Sequence, residues 1–225
     1  MPVKVIVWDL PVRVFHWGLA VSVLTALITG LIGGDAMDLH MQVGYVIVVL
    51  VAFRLLWGFL GSTYARFDSF FFNIPATLDY CKKSWRGESP RLLGHTPLAG
   101  WMIALMLIAL AVQTASGLYA NDDIMAEGPL YTLVSKQTSD LLTYIHKLNF
   151  RLIIVLAVGH VTTIVGYHLI WKRNNLIWPM FTGRKTVARD RVPTNHHISP
   201  YRTNLSALAL LILVAVAFYM IVAPQ

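Results

Sequence analysis

Histidine is the one residue type in this chain that could build metal chemistry: there are eight, against a single cysteine, Cys81. His146 and His160 stand fourteen residues apart in one apolar stretch, TYIHKLNFRLIIVLAVGHVTTIVGYHLIW. On an α-helix, fourteen steps of roughly 100° fall about 40° short of four turns, so the two imidazoles face nearly the same way about 21 Å apart along the axis. His16 and His40 lie at the starts of two further apolar stretches. Ionisable groups inside membrane helices are costly, and they usually face the bundle interior for a functional reason. One cysteine excludes an intrachain disulfide, a CxxCH attachment site and a thiolate cluster held by this chain alone. Zinc or di-iron chemistry of the HExxH or Glu-x-x-His kind needs carboxylates, and no Asp or Glu lies within these stretches.

The elements that must position these histidines are membrane helices. The chain has 225 residues, is 56% hydrophobic and only 13% charged, with apolar runs near 14–34, 41–61, 98–120, 148–171 and 204–223. Each approaches or exceeds the roughly 20 residues needed to cross a hydrocarbon core, which predicts an all-α integral membrane protein with five helices. The first run is long, carries His16 and Trp17 and shows no small-x-small cleavage site before Asp35, so it is expected to remain in the mature protein. Pro11 suits the start of its helix. The net charge of +7 is distributed as a topology signal. Basic residues gather before the first helix (Lys4, Arg13), between the second and third (Arg66, Lys82, Lys83, Arg86, Arg91) and between the fourth and fifth (among them Lys172, Arg173, Arg184, Arg189 and Arg191). The other two connections hold Asp35, Asp38, Asp122, Asp123, Glu127 and Asp140 against Lys136. By the positive-inside rule the N-terminus is cytoplasmic and the C-terminus external, and the basic loops imply no nucleic-acid role. Residues 62–96 read as a cytoplasmic loop whose FDSFFFNIPATLDYCKKSW is an interfacial amphipathic segment. The fourth helix, from about Ser139 to Trp171, would be near 50 Å long and overshoot the bilayer.

This topology assigns depths. His16 is at the cytoplasmic start of the first helix, His40 opens the second at the external side, and the inward-running fourth helix puts His146 outside and His160 deeper. His40 can meet His146, and His16 can meet His160. Two imidazoles at each of two levels are what two bis-histidine haem irons need in a bundle core. Gly44, one turn after His40, would let a flat macrocycle come close. A proton-relay transporter is the competing reading of a histidine chain, but it usually brings acidic residues and broken helices that are not seen here.

On these residues the chain resembles the bacterial cytochrome b561 family and the related b-type cytochrome subunits of nickel-iron hydrogenases. The strings that carry the resemblance are VRVFHW, HMQVG, FRLLWGFLG, LGHTPLAG, the IH and H separated by thirteen residues, and YHLIWKRNNLIWPMFTGRK, covering about residues 5–187. The resemblance implies two haems b in a four-helix transmembrane bundle, their axial ligands carried onto His16, His40, His146 and His160. It divides the chain into a di-haem domain (1–187), a basic cytoplasmic linker (188–203) and an additional C-terminal transmembrane helix (204–225) that departs from the family's compact pattern. Secondary candidates follow from chemistry. Lys147 and Arg151 suit haem propionates, as do His95 and Arg54, although Arg54 could equally snorkel to headgroups. Arg13, His168 and Trp171 suit a quinone pocket, and His196 and His197 read as solvated loop residues. The expected function is electron transfer in the bacterial cytoplasmic (inner) membrane, between the quinone pool and a periplasmic partner such as cytochrome c, which acidic outer loops would attract. The alternatives are a haem-bearing anchor for a catalytic redox subunit of hydrogenase type and a superoxide:quinone oxidoreductase.

Overall fold

A computed structural model describes residues 2–88, 93–124, 126–171, 177–188 and 200–223, with the side chains of 167–171 excepted. Five helices among these are long and apolar enough to cross a membrane: α1 (Leu10–Ile32), α2 (Ala36–Leu60), α4 (Pro97–Gly117), α5 (Lys136–Trp171) and α7 (Pro200–Val222). The shorter α3 (Ile74–Trp85) and α6 (Ile177–Thr182) lie between them. The all-α expectation needs one amendment: β1 (Pro2–Ile6) pairs antiparallel with β2 (Arg184–Ala188), in register from Pro2 opposite Ala188 to Ile6 opposite Arg184.

The sequence marks the helix ends locally. The Asp9 carboxylate accepts from the Val12 N–H at 2.8 Å and so caps α1, with Pro11 in the first turn, where a missing N–H costs nothing. Asn73 caps α3 through the Ala76 N–H at 2.9 Å, and Thr96 caps α4 through the Ala99 N–H at 3.2 Å. Between α1 and α2 the chain reverses through Gly33 and Gly34 at φ of 67° and 53°, left-handed values that glycine adopts without penalty. This turn is tight enough for α2 to begin at Ala36. His40 therefore lies one turn inside the helix and does not open it, as the sequence reading had it. α7 likewise begins at Pro200, before the expected boundary at 204.

The chain forms two compact units. One comprises residues 15–54, 106–158 and 208–225. Its core is Ile47, Val51 and Leu110, packed against Leu19, Val23, Ala26, Val43, Ala111 and Ile153, so α1, α2, α4 and α5 all contribute. α7 packs beside them through Phe218, whose ring lies 5.7 Å from that of Tyr45. Large apolar side chains such as Val21, Leu31, Val155 and Leu213 are exposed, as expected where the surrounding solvent is lipid.

The other unit comprises residues 1–14, 55–105 and 159–207. It holds the two-stranded sheet, α3 and an aromatic cluster around the fully buried Phe70. Asp9 is its buried polar centre: besides capping α1 it accepts from the Trp57 indole at 3.3 Å and from the Ser62 hydroxyl. The expected amphipathic segment is α3, which buries Tyr80, leaves Ile74, Leu78 and Trp85 exposed, and is fixed to α4 by a Trp101-to-Thr77 hydrogen bond of 3.2 Å.

Candidate functional site

Two of the four sequence-selected histidines come together. His40 on α2 and His146 on α5, both half-buried, lie side by side with ring centroids 6.1 Å apart and planes crossed at 79°. Each ring is held by a helix that carries neither of them. The Nδ1 of His40 lies 2.8 Å from the carbonyl oxygen of Ala26 on α1, and the Nδ1 of His146 lies 2.9 Å from that of Gln113 on α4. A carbonyl only accepts, so each Nδ1 carries the proton and each Nε2 keeps the lone pair that a metal would take.

The two holders are built alike. Three residues after each carbonyl comes a hydroxyl: Thr29, 3.4 Å from His40 Nδ1, and Ser116, 3.5 Å from His146 Nδ1. Each hydroxyl also donates to the same carbonyl that the histidine uses, at 3.2 Å for Thr29 to Ala26 and 3.1 Å for Ser116 to Gln113. The next residue is a glycine against the ring. A Cβ on Gly30 would stand 3.0 Å from Cε1 of His40, and one on Gly117 would stand 2.9 Å from Cε1 of His146. In both cases Nδ1 is the nearer nitrogen and Nε2 the farther. Sequence reading missed Thr29-Gly30 and Ser116-Gly117. The repeated Ser/Thr-Gly dipeptide at corresponding ends of two helices is the signal that could have revealed them.

The separation of the pair leaves room for a haem iron between the two imidazoles. A metal–imidazole bond is about 2 Å, and each ring centre lies about 1 Å behind its nitrogen, so an iron midway would part the centroids by roughly 6 Å. Gly44, one turn beyond His40, is half-buried yet has nothing within 4 Å of where a Cβ would point. That is the open space a planar macrocycle requires. One turn deeper on α5, the Asn149 amide donates to Ala109 O at 2.8 Å and to the Gln113 side chain at 2.7 Å, fixing α5 to α4 beside His146.

The other candidates are placed as follows. His16 is half-buried with its ring edge-on to Trp17 at 5.0 Å in one unit, and His160 is half-buried in the other. Lys147 and Arg151 are exposed. Arg54 is buried at 4% exposure, which is the opposite of snorkelling. His95 is enclosed by the rings of Trp8 and Phe70 at 4.4 and 4.7 Å. Arg13 donates to Phe181 O and lines a cleft of about 220 Å³. The side chains of His168 and Trp171, and all of His196 and His197, lie outside the described residues. In the expected docking loop several carboxylates are engaged within the chain: Asp123 and Asp140 pair with Lys136, and Asp122 accepts from the Ile124 and Ala126 N–H groups at 3.0 and 2.8 Å.

The sequence model of prokaryotic cytochrome b561 matches residues 7–183. The chain belongs to that family. It is a multi-pass membrane cytochrome that binds haem b and transfers electrons. Among curated proteins it is similar to the probable Ni/Fe-hydrogenase B-type cytochrome subunit of Rhizobium leguminosarum bv. viciae, 25% identical over 225 residues, covering 84% of this chain and 91% of that protein. The subunits of the same name from Rhodobacter capsulatus and Azotobacter vinelandii are 24% and 27% identical, covering 84% and 83% of this chain and 84% and 90% of theirs. No solved structure matches the cytochrome.

Proposed function

We propose that this cytochrome carries two haems b and passes single electrons between the membrane quinone pool and a redox partner at the external face of the bacterial cytoplasmic membrane. The observation that carries the reading is the His40–His146 pair, whose two Nδ1–H groups are both committed to backbone carbonyls. A haem b held there would supply a one-electron redox centre. His40 and His146 would hold the iron, and Ala26 O and Gln113 O fix the tautomer and plane of each ring. Gly30 and Gly117 let the rings lie against α1 and α4, and the apolar side chains of the core keep water away. Helix topology supports His16 and His160 as the second pair, and the N-terminus is cytoplasmic on the charge pattern. Lys147 and Arg151, exposed on α5, are proposed to meet propionates, and His168 and Trp171 to meet the quinone ring.

The relatives' names favour a separate catalytic redox subunit as the external partner, with this chain its membrane anchor. A soluble cytochrome c is the second reading, supported by the exposed Asp35, Asp38 and Glu127. Mild-detergent purification from native membranes separates the two. A stoichiometric second redox subunit whose removal abolishes quinone reduction supports the anchor. A chain that copurifies with none, and reduces quinone from reduced cytochrome c, supports the second. A chain that neither binds haem nor exchanges electrons with quinone contradicts both.

A further inference from the structure

The cleft of about 220 Å³ beside Arg13 is shaped by three segments: the start of α1, the turn from α6 into β2, and the first turn of α7. Arg13 and Arg184 are the two basic residues that line it, and Thr203 and Asn204 are polar residues of the same lining. Arg13 spends one donor on Phe181 O, while its Nε is buried with no hydrogen-bond partner among the described residues. Asp9 also lines the cleft, but its carboxylate is turned to the Val12 N–H, the Trp57 indole and the Ser62 hydroxyl at 4% exposure. Among the described residues that line it there are thus two basic side chains and one carboxylate, and that carboxylate is already satisfied.

We infer that this cleft binds a phosphate group, carried by the head of an anionic phospholipid. Two guanidinium groups with a hydroxyl and an amide match the charge and acceptor oxygens of a phosphodiester. α1 and α7 both enter their apolar spans from the cleft, so it lies at a membrane face where headgroups are concentrated. Basic pockets between membrane helices recognise such heads. The family match ends at residue 183, whereas Arg184, Thr203 and Asn204 lie beyond it. The bound phosphate thereby ties the additional helix, through Thr203 and Asn204, to the start of α1 at Arg13. A neutral quinone ring would fit the volume but leaves the second guanidinium without a use.

The test uses the full chain in detergent, measuring the thermal unfolding midpoint and lipid retention by native mass spectrometry. The probes are phosphatidylglycerol, phosphatidylcholine and inorganic phosphate. Phosphatidylglycerol should bind and raise the midpoint where phosphatidylcholine does not. Arg184→Gln and Thr203→Val should each weaken that binding at least fivefold, with helicity by circular dichroism unchanged. Inorganic phosphate protecting as well as phosphatidylglycerol would keep the anion site but make free phosphate its occupant. Equal binding of both lipids, undiminished binding by both variants, or displacement of phosphatidylglycerol by a neutral quinone analogue would overturn the proposal. Arg13→Gln is a further arm, and because it also releases Phe181 O the inference does not depend on that variant folding.

Discussion

His40 and His146 meet with their ring centroids 6.1 Å apart and their planes crossed at 79°, and each is turned by its Nδ1 into the backbone of a neighbouring helix. Four helices thus share one site, two supplying ligands and two supplying the carbonyls that aim them. This arrangement makes several consequences measurable.

Gly44 borders open space, so the apoprotein has room for a larger side chain there. Gly44→Leu should leave the protein folded and inserted but cut haem at the His40–His146 site severalfold, read as the haem-to-protein ratio by pyridine haemochrome. An unchanged ratio would show that the space beside His40 is not where a macrocycle lies.

Gly117→Ala should act differently, because its Cβ would stand 2.9 Å from His146 Cε1 and the ring must shift. The expected result is a retained but perturbed haem, with an altered low-spin electron paramagnetic resonance signal. Gly30→Ala should do the same from the His40 side. A wild-type spectrum in both variants would contradict the role given to these glycines.

The hydroxyls of Thr29 and Ser116 compete with the imidazoles for the same two carbonyls. Replacing them together, as Thr29→Val and Ser116→Ala, removes the competing hydroxyl from each carbonyl. The imidazoles become more electron-donating, and the midpoint potential of that haem should fall. If the change in hydrogen bonding is worth about 0.5–1 kcal/mol, the fall is roughly 20–40 mV for one electron. A redox titration that shows no change or a rise goes against the account.

Much of this was legible in the sequence. Five spans follow from apolar runs too long for anything but membrane or a buried core, and the pairing of His40 with His146 follows from helix periodicity combined with loop charge. The parts that escaped have physical causes. β1 and β2 are five residues each and nearly the whole chain apart, so no local pattern links Val5 to Lys185. Asp9 reads in sequence as a residue before a helix-starting proline, and nothing local foretells that Trp57 and Ser62 will converge on it. Thr29-Gly30 and Ser116-Gly117 look like ordinary helix ends until the rings that lie against them are known. The acidic outer loops read as docking charge, because sequence does not show that Asp122, Asp123 and Asp140 satisfy neighbours in their own chain.

Asp9→Ala removes a helix cap and leaves the Trp57 indole, on a residue only 2% exposed, without its acceptor. The combined loss should be about 2–4 kcal/mol, seen as a lower unfolding midpoint in detergent. Asp9→Asn should recover part of it, since the amide oxygen still accepts. Equal stability of wild type and Asp9→Ala would remove Asp9 from its structural role.

Lys136 holds both Asp123 and Asp140 at a half-exposed position. Ion pairs at such solvent-exposed positions add little to stability, so Lys136→Met should change stability little while removing the cation from both carboxylates. If a basic partner docks on this face, its association rate at low salt should rise and the gain should vanish at high ionic strength. A rate indifferent to the substitution at both salt levels points to docking elsewhere.

The central claim is tested most directly by counting haem in the wild type and in two single variants, His40→Ala and His146→Ala. The account predicts two haems b per chain in the wild type and one in each variant, with the same haem lost in both as judged by redox titration. One haem or none in the wild type, both haems retained in either variant, or different haems lost in the two would contradict it.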